Sequence, residues 1–115
     1  MNTSVDIDNL NMLKELIGDD LKEILNAYIS TAPNLVCQIE NALISQNIDD
    51  LRLHAHSLKG SSANIGANTL SSFSASLEQF AKDGQAGSEA VQMFTKIKNE
   101  NNTVLDFLNN YIQQF

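Results

Sequence analysis

Between Leu21 and Leu43 the chain places an apolar residue every three or four positions: Leu21, Ile24, Leu25, Tyr28, Ala32, Leu35, Val36, Ile39 and Leu43. That period fits an α-helix and no strand, so residues 19–46 are expected as one long helix or two collinear ones. Pro33 lies inside the run, where it removes the hydrogen bond to the carbonyl of Ile29. The stripe keeps its phase across the proline, which favours a kink near Pro33 over a break.

Shorter stripes of the same period flank this helix. "DIDNLNMLKELIGDD" reads as a first helix over about 8–17, with Asp6 or Asp8 as N-cap, Leu10, Leu13 and Ile17 inside, and Gly18 as the stop. "QNIDD" is a tight connection in which Asp49 caps a helix over 49–64. A helix over 67–83 follows, with Leu70, Phe73, Leu77 and Phe80 as its seam, and "KDGQAGS" supplies the next loop. The last helix, 88–113, uses Val91, Phe94, Ile97, Val104, Leu105, Leu108 and Ile112, while its polar middle, "NENN", leaves room for a bend or fraying.

Short loops force neighbouring helices to run in opposite directions. The expected fold is therefore all-α: an antiparallel up-and-down four-helix bundle, with the short N-terminal helix covering one end. With 115 residues, 43% of them hydrophobic, the chain supplies one core and reads as a single domain over 1–115.

Charge and segment content narrow the function. A net charge of −7, from seven basic and fourteen acidic residues, argues against nucleic-acid binding. No basic start followed by an apolar run marks a secretory signal, and no apolar run of about 18 residues marks a membrane span, so a cytoplasmic protein is expected. The single Cys37 sits at the edge of an apolar stripe and reads as a packed, inert thiol.

The chemistry concentrates in "LRLHAHSLKGSSANIG", Leu51 to Gly66, which holds both histidines. On a helical projection with Leu58 at zero, Leu51, Ala55, Ser62 and Ile65 fall within about 60° and form the core face. His56 falls at about 160°, with Arg52, Lys59 and Ala63 at about 100–140° and Gly60 at about 200°. His54, at about −40°, belongs to the core edge. The two rings therefore point to different sides, which argues against a metal site.

Gly60 costs roughly 1 kcal/mol relative to alanine in a helix interior. It lies one turn from His56 on an exposed face, where core packing demands no missing side chain; clearance for an approaching molecule explains it. Lys59 at i+3 and Arg52 at i−4 supply positive charge around the ring. Cations beside an imidazole favour its neutral form, whose nitrogen lone pair is a nucleophile near neutral pH. An exposed imidazole, a lysine for charge and a flat cleared surface together describe a phosphocarrier.

The segment "AHSLKGSSANIGA", Ala55 to Ala67, resembles the A-H-x-L-K-G-[SA]-[SA]-x-x-[LIV]-G-A signature of histidine-containing phosphotransfer (HPt) domains, the intermediates of multistep two-component phosphorelays. "IDNLNMLKELIGDD", "YISTAPNLVCQIENAL" and "LSSFSASLEQFAKDG" extend the resemblance over nearly the whole chain. It implies that His56 is the phosphoacceptor, through Nε2, that Lys59 interacts with the phosphoryl group and that Gly60 leaves room for a receiver domain. Ser61, Ala63 and Asn64 would lie on or near the docking surface, with Arg52 adding charge to it. At position 54 the family often has an apolar residue, so His54 is expected to be packed rather than reactive.

The function so implied is passage of a phosphoryl group from one receiver aspartate to His56 and on to another. The partners are response-regulator receiver domains and a hybrid sensor histidine kinase. Mg²⁺ belongs to the receiver, and with no glycine-rich nucleotide loop the chain is expected to bind no ATP, hold no cofactor of its own and have no kinase activity. A monomer is expected because the phosphoacceptor face must stay open, and Met1 with the compact ends favours a free-standing protein. The competing reading is a non-catalytic helical module that binds and sequesters receivers.

Overall fold

Asp6 starts the first helix: its backbone is extended and its side chain accepts the Asn9 backbone N–H at 3.1 Å, satisfying a donor that a helix start leaves without a partner. The structure, a computed structural model, describes residues 4–115; the first three positions of the expected domain lie outside them. Among the described residues there are five helices and no strand: α1 (Ile7–Ile17), α2 (Asp20–Ser45), α3 (Ile48–Asn64), α4 (Asn68–Lys82) and α5 (Ser88–Ile112).

Helix α3 packs against α2 on one side and α4 on the other, and α5 packs against both α2 and α4. The four long helices thus close a ring in chain order around one core, whose fully buried members include Leu25, Ile39, Leu51, Leu58, Leu70, Leu77, Ile97 and Leu108. This is the antiparallel four-helix bundle that the stripes imply. At about 1.5 Å per residue, α2 alone runs most of the 43 Å long axis.

Helix α1 closes one end. The Asp6 N–H donates to the carbonyl of Gly66 at 3.0 Å, joining the start of α1 to the α3–α4 turn. Gly66 has φ +79°, and a Cβ there would press on Asn9 and Asp6 at 3.4 Å, so both conformation and space call for glycine. Tyr111 donates its hydroxyl to Asn11 Oδ1 at 2.9 Å, tying α5 to α1.

Several details differ from the sequence reading. Asn47, not Asp49, caps α3: its Oδ1 accepts the Asp50 N–H at 3.1 Å, and its amide donates to the Asp50 carboxylate at 2.9 Å. Asp49 instead lies in the first turn, where its charge faces the positive helix end. Helix α2, in keeping with the unbroken phase of its stripe, runs through Pro33 without a break. Helix α5 continues through "NENN", because Asn101 is buried and accepts the Tyr28 hydroxyl at 3.0 Å, which anchors this polar stretch to α2.

Cys37 is exposed rather than packed. It stands two residues before Ile39, about 200° round the helix, and so turns outward. Ile24 and Val91, counted in the apolar stripes, are also exposed.

Candidate functional site

Ser62 lets α3 sit close to its neighbours, since its side chain is fully buried and its hydroxyl folds back onto the carbonyl of Leu58 at 2.6 Å. Ser71 of α4 donates to the carbonyl of Lys59 at 3.0 Å, fixing α4 beside this turn. With the core face of α3 held, His56 projects outward with its side chain 63% exposed.

Beneath the ring lies Glu78, a residue of α4 whose side chain is only 7% exposed. One carboxylate oxygen, Oε2, is 2.9 Å from His56 Nδ1, and the other, Oε1, accepts from Lys59 Nζ at 2.7 Å. Lys82, one turn further along α4, brings its Nζ to 3.6 Å from Oε2. A single buried carboxylate therefore gathers the histidine and two lysines.

Burial alone would raise the Glu78 carboxyl above the usual range. The hydrogen bonds from Lys59 and His56, with the charges behind them, outweigh burial and hold it below its ordinary value of 4.5. Glu78 is accordingly ionised at neutral pH and can only accept hydrogen bonds. It follows that His56 Nδ1 carries the proton it donates, and that in the neutral ring the lone pair resides on Nε2, the nitrogen turned from the carboxylate. A buried anion under an exposed imidazole thus sets both tautomer and ring orientation, and leaves one nucleophilic nitrogen.

The surface around His56 has two parts. On the α4 side, Arg52, Leu53, His56, Glu78 and Lys82, with Asp49 and Asp50, line an open cleft of about 600 Å³. On the α2 side, Ser61 and Asn64 line a separate, largely apolar groove of about 190 Å³ with Ile24, Ala27, Tyr28, Thr31 and Leu35. Exposed Ile24 belongs to this groove, which accounts for an apolar side chain facing outward.

Gly60 and Ala63 are exposed on α3, and a side chain at Gly60 would meet no atom of the protein within 4 Å. The structure thus brings His56 and Lys59 onto one carboxylate, puts Arg52 in the cleft beside them, and sets Ser61 and Asn64 apart in the groove. His54 is half-buried and lines neither recess. Among the described residues no three His, Cys, Asp or Glu side chains gather as a metal-ion set, and no helix is long and apolar enough to cross a membrane.

Glu78 and Lys82 did not emerge from the sequence, where a lone glutamate on a helix reads as solvated. A signal was present. Leu70, Ser74, Leu77 and Ala81 make a buried stripe, and Glu78, four residues after Ser74 and three before Ala81, falls on its edge.

Known proteins resemble this chain in sequence and in fold. The Hpt domain family model matches residues 23–114. The chain is 26% identical over 89 residues, 77% of its length, to the phosphorelay intermediate protein rdeA of Dictyostelium discoideum, covering 35% of that protein. It is 30% identical over 82 residues, 65% of its length, to histidine-containing phosphotransfer protein 1 of Oryza sativa subsp. japonica, covering 56% of that protein. It therefore spans only about a third to just over half the length of these relatives. Its fold matches the crystal structure of histidine-containing phosphotransfer protein B from Pseudomonas aeruginosa PAO1, with a TM-score of 0.93 over 100% of this chain and 99% of that one, at 24% identity.

Proposed function

This chain belongs to the Hpt domain family, and from that premise we propose that His56 is its phosphoacceptor, taking a phosphoryl group from a receiver-domain aspartate and passing it to another in a phosphorelay. The observation that carries the reading is the 2.9 Å contact of His56 Nδ1 with the buried Glu78 carboxylate, which leaves Nε2 as the free nucleophile on an exposed ring.

In the forward step the Nε2 lone pair attacks phosphorus in line. The N–P bond forms as the P–O bond of the acyl phosphate breaks, and the aspartate leaves as a carboxylate. The imidazole becomes positively charged in this step while Nδ1 keeps its proton, and the Glu78 carboxylate lies where it stabilises that charge. Lys59 stands by to offset the charge of the transferred group. Because phosphoryl transfer is mostly positioning and charge neutralisation, such a module needs few residues, and the remaining machinery, Mg²⁺ included, resides on the receiver. The chain carries the phosphoryl group and does not draw it from ATP.

The receiver docks over the open surface at Gly60 and Ala63 and into the groove of Ile24, Ala27, Thr31, Leu35, Ser61 and Asn64. Apolar walls edged by small polar groups suit a transient interface. The upstream partner is a hybrid sensor histidine kinase, the downstream one a response regulator, and a monomer keeps the face open to both in turn.

The test is incubation with a phosphorylated receiver and Mg²⁺. Acid-labile, alkali-stable label should appear on the chain, vanish in His56→Gln and persist in His54→Gln. Label retained in His56→Gln overturns the assignment.

A further inference from the structure

A serine inside a helix ordinarily turns its hydroxyl back onto the carbonyl one turn earlier in its own helix. Two serines of α4 do so: Ser74 Oγ donates to the carbonyl of Leu70 at 2.9 Å, and Ser76 Oγ to that of Ser72 at 3.2 Å. Ser71 departs from this pattern. Its backbone N–H donates to the Ala67 carbonyl in the usual way, but its hydroxyl crosses to α3 and donates to the carbonyl of Lys59 at 3.0 Å. Ser62 Oγ, 3.2 Å from the same carbonyl, bonds chiefly to that of Leu58 at 2.6 Å, which leaves a lone pair at Lys59 for Ser71.

Ser71 and Glu78 stand seven residues apart on α4, two turns, and so lie within about 20° of one another on its surface. Both reach Lys59: Ser71 at the backbone carbonyl, Glu78 at the ammonium group, 2.7 Å from Oε1. One residue of α3 is thereby gripped at both ends by one face of α4. The two grips differ in kind. Lysine and glutamate meet at the tips of long, flexible side chains, which follow a sliding helix and do not fix its position. The Lys59 carbonyl is part of the α3 backbone and the serine hydroxyl is carried directly on Cβ, so their contact sets where α4 lies along α3.

We propose that Ser71 is a positioning residue for phosphoryl transfer at His56: by pinning α4 to the α3 backbone at Lys59, it holds the Glu78 carboxylate at the height where one oxygen meets His56 Nδ1. The proposal rests on the phosphocarrier reading of His56. Ser71 acts through Glu78 and not on the ring itself. Without its hydroxyl α4 is free to shift along α3, and a 2.9 Å hydrogen bond to a ring nitrogen weakens with small changes of distance and angle.

Ser71→Ala, Ser71→Thr and Ser74→Ala test the assignment in the full-length protein. Alanine is the best helix former, so both alanine variants keep α4, with circular dichroism as the check. Ser74→Ala is the control, because it removes a hydroxyl of the same helix that bonds only within α4. The first readout is the ¹⁵N spectrum of the neutral His56 ring, which reports the share of the Nδ1–H form. The second is the rate at which phosphoramidate labels His56: the Nε2 lone pair attacks phosphorus, the P–N bond to the amide nitrogen breaks, and that nitrogen takes a proton and leaves as ammonia. Ser71→Ala should lower the Nδ1–H share and slow labelling about fivefold, the factor that one neutral hydrogen bond contributes. Ser71→Thr should restore both, and Ser74→Ala should leave both as in the wild type. An unchanged ring spectrum in Ser71→Ala, an equal change in Ser74→Ala, or a threonine variant that matches alanine overturns the positioning role while the phosphocarrier reading stands. Failure of wild-type His56 to take the label overturns both.

Discussion

The carboxylate of Glu78 reaches from α4 to α3 and lies 2.9 Å from Nδ1 of His56, so an exposed imidazole stands on a buried charge. The contact joins fold to chemistry: the same side chain that secures α4 against the site turn of α3 also decides which ring nitrogen is free.

If the hydrogen bond matters more than the charge, glutamine and leucine at position 78 should behave differently. Glu78→Gln keeps an amide oxygen that can accept from Nδ1–H, and should retain most of the phosphoryl transfer rate. Glu78→Leu removes the acceptor, and should slow transfer by roughly a hundredfold, the lower end of what a positioned proton-handling group contributes. Its partners His56, Lys59 and Lys82 are all partly exposed and regain water when the carboxylate is removed, so Glu78→Leu should lose stability yet remain folded. Rapid-quench transfer from a phosphorylated receiver and a thermal melt read both effects; equal rates in the two variants would contradict the account.

Glu78 also predicts a pH dependence of stability. Its folded carboxyl titrates below the ordinary value of 4.5, so the unfolded chain binds its proton first as pH falls. The stabilisation is therefore complete above that ordinary value and is lost as pH falls through the lowered, folded one. Urea unfolding between pH 7 and pH 3 should show the advantage of the wild type over Glu78→Gln shrinking only at the acid end of the range.

Two glycines should respond to alanine with opposite signs. Gly60 has open space around it and lies within α3, so Gly60→Ala should stabilise the protein by about 1 kcal/mol. Gly66 has φ +79° and close neighbours in Asp6 and Asn9, so Gly66→Ala should destabilise by roughly 1–2 kcal/mol. Denaturant midpoints of the two variants check this directly.

A Cβ at Gly60 would meet no atom of this chain within 4 Å, and the proposed docking gives that space to a receiver. Gly60→Phe should leave helicity and phosphoramidate labelling of His56 intact while slowing transfer from a receiver at least about tenfold, as a loss of binding near 1.4 kcal/mol does. Unchanged receiver kinetics would remove the steric role.

The long stripes made the bundle legible, because burial on one helix face imposes a period on the sequence; each helix end lies within one residue of the span those stripes suggest. Capping was less legible. Asp49 and Asn47 are both plausible by residue type, and only the extended backbone at Asn47 decides between them. The exposed face of α3 could be read from the angle of His56 alone, since projection needs nothing outside the helix. Its partner could not: Glu78 is 22 positions away, and burying a carboxylate depends on how α4 docks, which a single-helix projection does not contain. The groove with Ile24 was hidden for the same reason, because an apolar residue on a stripe reads as core until a neighbouring helix leaves it uncovered.

The central claim is that Glu78 reserves Nδ1 and leaves Nε2 of His56 to carry the phosphoryl group. Long-range ¹⁵N correlation spectra of ¹⁵N-histidine-labelled, phosphorylated protein test it most directly, because the two ring nitrogens are distinguished by their couplings to the ring protons. The account predicts phosphorus on Nε2 of His56 and a retained proton on Nδ1; phosphorus on Nδ1, or on either nitrogen of His54, would contradict it.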